Sequence, residues 1–344
     1  MATVMDVSAT SDPRWAEVVE RHRSDVFHSP GWLRVIKRTY GFDLRALIVD
    51  ELGTATAGIP YAVIDDLRGS RVACAPFTDF CDPLFTTQDE WESICKGLAS
   101  LGDDVRLRTL HADISDDDPV FEASARARWH AIDLHLDVDD TWMAISSSAR
   151  RAVRKARSEG VTIRQGTSKD DLRSFFELHL RTRKLKYRLL AQPYAFFEHI
   201  WDEFLDTGNG SVLLASHEGA DVAGVVFLDW HGTRYYKFNA SDPATAAVRP
   251  NDLIMWTAIE QATADGIERI DFGLSDWDQE GLIRYKQKYA SVDGTIVFRR
   301  SRSAPEPNAS ANEALSAMTH LLTGASIPDE VTEAAGASLY QYFA

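Results

Sequence analysis

The stretch from Thr233 to Ser291 (TRYYKFNASD…RPNDLIMWTAIEQATADGIERIDFGLSDWDQEGLIRYKQKYAS) constrains the fold more than any other part of the chain. Thr233–Asn239 is dominated by aromatic and β-forming residues, the pattern of a sheet strand. Asn251 is a suitable N-cap, and Leu253, Ile254, Trp256, Thr257, Ile259 and Glu260 follow at helical spacing until Gly266 stops the run. Arg269–Phe272 reads as a short apolar strand closed by Gly273, and Glu280–Tyr289 as a second helix carrying Tyr285, Lys286 and Tyr289. Strand, loop, long helix, strand and helix in this order describe a mixed α/β unit in which the long helix connects neighbouring strands.

That order resembles the acyl-donor half of the GNAT acyltransferase fold, where two neighbouring strands splay apart and a helix N-terminus faces the gap. The ending narrows the resemblance. Tyr285-Lys286-Gln287-Lys288-Tyr289-Ala290 is similar to the Phe-Lys-x-x-Phe-Gly ending of the FemABX-like transferases, a GNAT branch that builds peptidoglycan cross-bridges. Four further segments match that family in order. Ser29-Pro30-Gly31-Trp32 opens an early helix, and Ala75-Pro76-Phe77-Thr78-Asp79 resembles the Gly-Pro-x-x-Asp strand end. Ser146 to Val161 resembles a basic helix ending in Gly-Val, and Gln192-Pro193-Tyr194-Ala195-Phe196-Phe197 the Pro-x-x-Tyr-Phe helix. The resemblance spans residues 28–300 and implies an α/β protein with mixed sheets in tandem GNAT-like (acyl-CoA N-acyltransferase) domains.

The length of 344 residues suits two domains of about 150 residues each. Apolar content of 44% and charged content of 26% are those of a globular protein. No apolar run approaches the roughly 18 residues of a membrane span. The opening MATVMDVSATSDPRW lacks the basic and apolar regions of a secretory signal, so a cytoplasmic location is expected. Cys74, Cys81 and Cys95 have no metal-ligand spacing to histidines and read as buried, reduced thiols, with no metal site expected. The formal net charge of −15 argues against DNA as a partner, yet residues 150–188 hold thirteen Lys or Arg against four acids. Such a segment is either a phosphate-binding face, centred on Arg150, Arg151, Arg154, Lys155 and Arg183, or a solvated helix whose charges are neutralised elsewhere in space.

Both halves read as mixed α/β. The first holds helices at Pro13–His22, Ser29–Thr39 and Gln88–Leu101 and strands at Leu44–Val49, Gly58–Ile64, Val72–Ala75, Val105–Leu110 and Trp129–Leu136. The second opens with a helix over Asp140–Glu159 and continues through a strand at Val161–Gln165 and helices at Leu172–Arg183 and Tyr194–Leu205. Strands at Ser211–Ser216, Ala223–Trp230 and Thr295–Arg299 complete it. The expected domains are 1–139, 140–300 with the acyl-donor site, and a tail at 301–344. In that tail a polar linker precedes helices at Asn312–Leu322 and Pro328–Phe343, whose apolar last turn is expected to dock back on the body.

Acyl transfer to an amine needs a held carbonyl, a donor to its oxyanion, a neutral nucleophile and a proton acceptor. The resemblance assigns oxyanion stabilisation to Lys286, with Tyr285 as its aromatic neighbour; Lys288, on another helical face, is the comparison residue. Asp276 and Asp79 are candidate bases, while Asp278 reads as the N-cap of the following helix. Alternate members of Tyr235, Tyr236, Lys237 and Asn239 should face the cleft. The GNAT pyrophosphate loop, Gln/Arg-x-x-Gly-x-Gly/Ala, is matched by Arg249 but not by the glycines, since Asn251, Asp252, Leu253 and Ile254 follow. Arg249 and Asn251 are therefore donor-binding candidates with either acyl-CoA or aminoacyl-tRNA as co-substrate, and no tightly bound cofactor is expected.

On the acceptor side, the family holds a muropeptide diphosphate with a Lys on the early helix and an Arg before the Pro-x-x-Tyr helix. Counting from Trp32, those positions fall on Ile36 and Gln192, with Lys37 one place later. Losing both cations removes charge-assisted bonds of about 1.5–3 kcal/mol each. Trp32, Lys37 and Gln192 remain substrate-side candidates, and the acceptor is an amine on a glycopeptide, another cell-envelope component or a small molecule. The expected activity is acyl or aminoacyl transfer onto that amine. The other reading is a degenerate, non-catalytic GNAT pair that only binds.

Overall fold

The computed structural model describes residues 3–344. The chain begins with β1 (Thr3–Ser8), α1 (Pro13–Arg21), α2 (Pro30–Tyr40), β2 (Arg45–Glu51), β3 (Thr54–Asp66) and β4 (Gly69–Ala73). After α3 (Gln88–Ala99) come β5 (Val105–Thr109), β6 (Phe121–Asp133), α4 (Val138–Ala144), α5 (Ser147–Ser158), β7 (Thr162–Gln165), α6 (Lys169–Arg181) and α7 (Tyr194–Ile200). Three strands follow, β8 (Gly210–His217), β9 (Ala220–Trp230) and β10 (Thr233–Ser241). The last elements are α8 (Pro250–Ala264), β11 (Arg269–Ser275), α9 (Glu280–Gln287), β12 (Val292–Ser301), α10 (Ala309–Leu322) and α11 (Asp329–Leu339). No helix among the described residues is long and apolar enough to cross a membrane.

Two compact units result, and their limits differ from those expected. The first takes the chain up to Arg128, then Gly294–Leu315 and Gln341–Ala344; the second takes Trp129–Asp293 and Ser316–Tyr340. The chain passes from one to the other between Arg128 and Trp129 inside β6, a continuous strand, and not near residue 140. Gly294–Leu315 return to the first unit because β12 pairs antiparallel with β5, Val297 opposite Thr109.

In the first unit the strands run β1-β2-β3-β4-β5-β12, with the early part of β6 beside β12. Their alternation sends Leu47, Val49, Ile59, Val72 and Leu107 to one face, where Trp91, Ile94 and Leu98 of α3 close the core. Ser29 caps α2 by accepting from the Trp32 amide, Pro30 follows, and Gly41 ends the helix in the left-handed region at φ 74°. Cys74, Cys81 and Cys95 are buried free thiols; burial pushes the Cys74 thiol up to about 12. β1, which sequence periodicity did not reveal, is an edge strand paired with β2.

In the second unit the order is β11-β10-β9-β8-β7, flanked by the end of β6. β7 to β10 are antiparallel, β10 and β11 parallel, and α8 is the crossover that a parallel pair requires. α8 is apolar around its circumference and buries Leu253, Ile254, Met255, Trp256, Ala258, Ile259 and Ala262. The single helix expected over 140–159 is broken at Ile145 and Ser146, both extended, where Ser146 accepts from the Ala149 amide and starts α5 afresh. α6 likewise ends at Arg181 and continues as a wider π turn over Thr182–Tyr187.

α11 belongs to this second unit. Its docking rests less on the aromatic last turn than on Thr332, Ala335 and Gly336, all buried, and on ion pairs from Arg173 to Glu333 and from Lys184 to Asp329. A Cβ on Gly336 would lie 2.4 Å from the main-chain oxygen of Ala191. Helix propensity alone makes Gly→Ala stabilising by about 0.5–1 kcal/mol. The close approach reverses the sign: Gly336→Ala should destabilise by about 1–3 kcal/mol. Faster amide exchange across 329–339 in the variant is the expected outcome, and slower exchange would show that α11 does not rest on this contact.

Candidate active site

The parallel pairing of β10 with β11 covers only Thr233–Tyr235 opposite Arg269–Asp271. Beyond it the strands part. β10 runs on to Ser241 along β9, with a register shift between Tyr236 and Phe238, and β11 continues to Ser275. Gly273 sits at φ 64°, a left-handed conformation that turns β11 away. Its amide donates to the buried Asp271 carboxylate, which also accepts from the Trp129 indole at 2.8 Å.

The first turn of α8 faces this gap. Arg249, in the left-handed region at φ 62°, precedes Pro250, so Arg249 and not Asn251 holds the N-cap position. Asn251 ties three elements together. Its side-chain oxygen accepts from Asn239 of β10 at 3.1 Å, and its main-chain oxygen accepts from the Tyr285 hydroxyl of α9 at 3.1 Å. Asp252, 4% exposed, accepts from the Tyr289 hydroxyl at 2.8 Å and pairs with Lys288 at 3.4 Å.

Lys286 is 3% exposed, not a surface residue, and its Nζ donates to the carbonyls of Gly273 and Leu274 at 3.1 and 2.8 Å. These carbonyls lie on the part of β11 that has left β10. Lys286 thus braces the splayed strand from beneath. Lys288, expected on an unrelated face, lines the cleft beside Asp252, with its ammonium 5.4 Å from the centre of the Tyr285 ring.

Two hollows open around Tyr285 and Asn251. One, of about 470 Å³, is lined by Lys186, Tyr187, Tyr236, Asn239, Asp278 and Glu280 among others. The other, of about 560 Å³, is lined by Arg249, Asp252, Arg284 and Lys288. Tyr236, Tyr285 and Tyr289 all have hydroxyl pKa values pushed above the ordinary tyrosine value, first by burial and then by neighbouring phenols and Asp252. They remain protonated and act as hydrogen-bond donors, not bases.

The structure therefore brings together Tyr285, Arg249, Asn251, Tyr236 and Asn239 around the hollows, while Lys286 lines neither and reaches the gap through the carbonyls of Gly273 and Leu274. Asp276 is exposed and lines neither hollow, whereas Asp278 and Glu280 line the smaller one. Asp278 does not cap α9; Gln279 precedes that helix without a side-chain bond. Gln192 bonds the buried His179 at 2.9 Å. Asp79, Trp32 and Lys37 belong to the first unit: Asp79 half-buried in the loop after β4, Trp32 buried edge-on to Phe27, and Lys37 exposed near Asp43. Asp252, Asp271 and Lys288 were missed. A charged residue inside an otherwise apolar helix, as Asp252 is, was the available signal.

The basic segment divides in two. Arg157, Arg164, Lys169, Arg173, Arg181 and Lys184 are paired with acids, and Arg150 and Arg183 donate to main-chain carbonyls. Arg151, Arg154 and Lys155 instead form an exposed stripe on α5 without an ion pair among the described residues.

Residues 145–287 match the family model of the acetyltransferase (GNAT) domain. FemX is similar to this chain with a TM-score of 0.66 at 14% identity, over 86% of this chain and 96% of that one. The chain carries a GNAT domain in a FemABX-like fold. A tandem GNAT protein from the clavulanic acid biosynthesis pathway aligns with a TM-score of 0.56 at 11% identity, over 89% of this chain and all of that one. The C-terminal domain of a putative lysylphosphatidylglycerol synthetase from Agrobacterium fabrum gives 0.57 at 12%, over 90% and 95%. No curated protein matches by sequence. The domain type is that of an acyltransferase.

Because the three phenols hold their protons in the folded state and release them near pH 10 when unfolded, the folded state binds more protons above that pH. Stability should therefore fall as pH rises past about 10. Urea unfolding between pH 8 and 11 measures the slope, and Tyr289→Phe should flatten it while lowering stability at pH 8. An unchanged slope in Tyr289→Phe would remove that phenol from the set.

Proposed function

We propose that the second unit transfers an aminoacyl group from an aminoacyl-tRNA ester onto a primary amine of a cell-envelope or small-molecule acceptor, in the cytoplasm. The observation that carries this reading is the gap between β10 and β11, faced by the first turn of α8 and flanked by protonated tyrosines. There the amine nitrogen attacks the ester carbonyl, a C–N bond forms, and the oxyanion is met by hydrogen-bond donors. The C–O bond then breaks, and the amine's surplus proton passes, through solvent or the carboxylates of Asp278 and Glu280, to the ribose oxygen, which leaves as a hydroxyl.

An ester donor is favoured over a thioester of coenzyme A by the chemistry of the α8 N-terminus. Pro250 has no N–H, and the amides of Asp252 and Leu253 both donate to the Arg249 carbonyl. The Asp252 carboxylate is itself an anion in that first turn. Little remains there to cradle a diphosphate. The α5 stripe of Arg151, Arg154 and Lys155 offers cations for a tRNA backbone. Acyl-CoA is the second reading, supported by Arg249 and Arg284 at the 560 Å³ hollow; a non-catalytic module is the third.

Incubation with tRNA charged with labelled amino acids, or with labelled acyl-CoA, and a panel of primary amines separates the three. Amide product from charged tRNA alone is expected, weakening steeply with salt and with Arg154→Glu/Lys155→Glu. Product only from acyl-CoA selects the second reading, and label retained without product selects the third.

Lys286→Met keeps the stem and removes the ammonium. Turnover should fall on the order of a hundredfold, the scale of losing one stabilising donor. Stability should also fall, by about 1–3 kcal/mol for each carbonyl left unpaired. Lys288→Met should lower turnover and also stability, since it leaves the buried Asp252 carboxylate without its counter-charge. Wild-type rates in both variants would confine the two lysines to structure.

A further inference from the structure

We propose that the first unit contains a second, separate binding site, an arginine-lined pocket for the phosphate group of a small phosphorylated molecule. The proposal does not rest on the transferase reading.

The pleat of three neighbouring strands builds it. Arg71 of β4, Arg106 and Arg108 of β5, and Arg300 of β12 share one face, and Arg68 from the β3–β4 turn joins them. The pocket has a volume of about 440 Å³, and no acidic side chain lines it. Register sets like charges against each other: Arg300 lies directly opposite Arg106, while Phe298 lies opposite Arg108, whose guanidinium stacks on its ring at 4.9 Å. Like charges placed directly across a strand pair destabilise it. Such an arrangement persists where something else compensates.

The chain compensates only in part. Asp66 takes Arg71 at 2.9 and 3.0 Å, and Asp104 takes Arg106 at 2.6 and 3.0 Å. Arg108 donates to the main-chain oxygen of Thr78 and Arg300 to that of Pro305. Five guanidiniums thus face the carboxylates of Asp66 and Asp104 and the terminal carboxyl group of Ala344. The Nε donor of Arg300 is buried without a hydrogen-bond partner, and that of Arg68, also without one, lies 4.0 Å from Asp66. Burial and the neighbouring Arg71 bring the Arg68 pKa down to about 10.

One acceptor already occupies part of the cluster. An oxygen of the terminal carboxyl group of Ala344 receives bonds from Arg68 and, at 2.9 Å, from Nη2 of Arg71. It marks the spot at which a ligand oxygen is held. Several guanidinium forks, an aromatic ring at the wall and no acidic side chain in the lining select a phosphate over a neutral sugar or an amine.

Inorganic pyrophosphate is the first probe, with sodium chloride at matched ionic strength as control. Pyrophosphate should raise the melting temperature and bind saturably, and chloride should not reproduce this. ADP and glucose 1-phosphate then distinguish a nucleotide source from a sugar phosphate, and binding of either supports the site. Arg300→Gln removes the charge that faces Arg106 across the strands and should hold or raise stability without ligand, whereas Arg106→Gln also breaks the pair with the buried Asp104 and should lower it. Each should weaken pyrophosphate roughly tenfold or more. Stabilisation equal to that by chloride, or variants that lose stability yet bind pyrophosphate as the wild type does, would overturn the proposal.

Discussion

After three paired positions β10 and β11 lose one another, and the second unit is arranged around that loss. A parallel pair that stops short leaves main-chain carbonyls and amides in the middle of a sheet, where water has little access and each unpaired group is costly. The solutions differ on the two sides. On β11, Gly273 turns the chain and Lys286 supplies a buried ammonium to two successive carbonyls. On β10, Asn239 reaches Asn251, which is fixed in turn by Tyr285. The gap stays open because its walls are satisfied from outside it, by α9 beneath and α8 across.

Lys286 therefore has two roles that cannot be read apart from its contacts alone. A charge buried at 3% exposure needs partners, and the Gly273 and Leu274 carbonyls provide them. The same bonds hold the strand end in the position a donor carbonyl would approach. In a site with fixed dipoles, placing the backbone is itself a form of electrostatic preorganisation. The neighbouring phenols point the same way, because burial holds them as donors.

Much of this frame was legible in the sequence. Strand, long helix, strand and helix between Thr233 and Ser291 appear in the expected order, and the Tyr285–Lys286 pair arrives at the gap. Periodicity reports which face of an element is buried, and these elements have strong periodicity. It does not report which carbonyl lacks a partner, so the burial of Lys286, the place of Lys288 and the role of Asp252 were hidden. Helix starts failed for a related reason: Asn251 and Asp278 are good caps by type, but Arg249 in the left-handed region and Gln279 hold those positions. Charge was the least legible property. Counting along the chain gives residues 150–188 a large excess of positive charge, while Arg173 and Lys184 find their acids 160 and 145 residues away on α11. What sequence presents as one basic zone includes clasps for α11 from Arg173, Arg181 and Lys184, ion pairs from Arg157, Arg164 and Lys169 to other elements, and an exposed stripe on α5.

The arginines of the first unit follow the opposite logic from the gap in the second. There, missing backbone pairs are repaired by side chains. Between β5 and β12 the backbone ladder is intact, and the side chains are in conflict, with Arg106 opposite Arg300 and the buried Nε of Arg300 without a hydrogen bond. A sheet selected for stability alone would place an acid at one of these positions, since opposite charges across strands are favourable by about 0.2–1 kcal/mol. The alternation that carries Arg106 and Arg108 to one face is visible in the sequence as VRLRT, yet it becomes a concentration of charge only when β12, almost two hundred residues later, brings Arg300 alongside. Sites held against stability are where local rules are expected to break. The two breaks are of different kinds, an open hydrogen-bond ladder in one unit and a partly compensated cation cluster in the other, and each suits a different demand: a reacting carbonyl needs aimed dipoles, whereas a phosphate needs net positive charge.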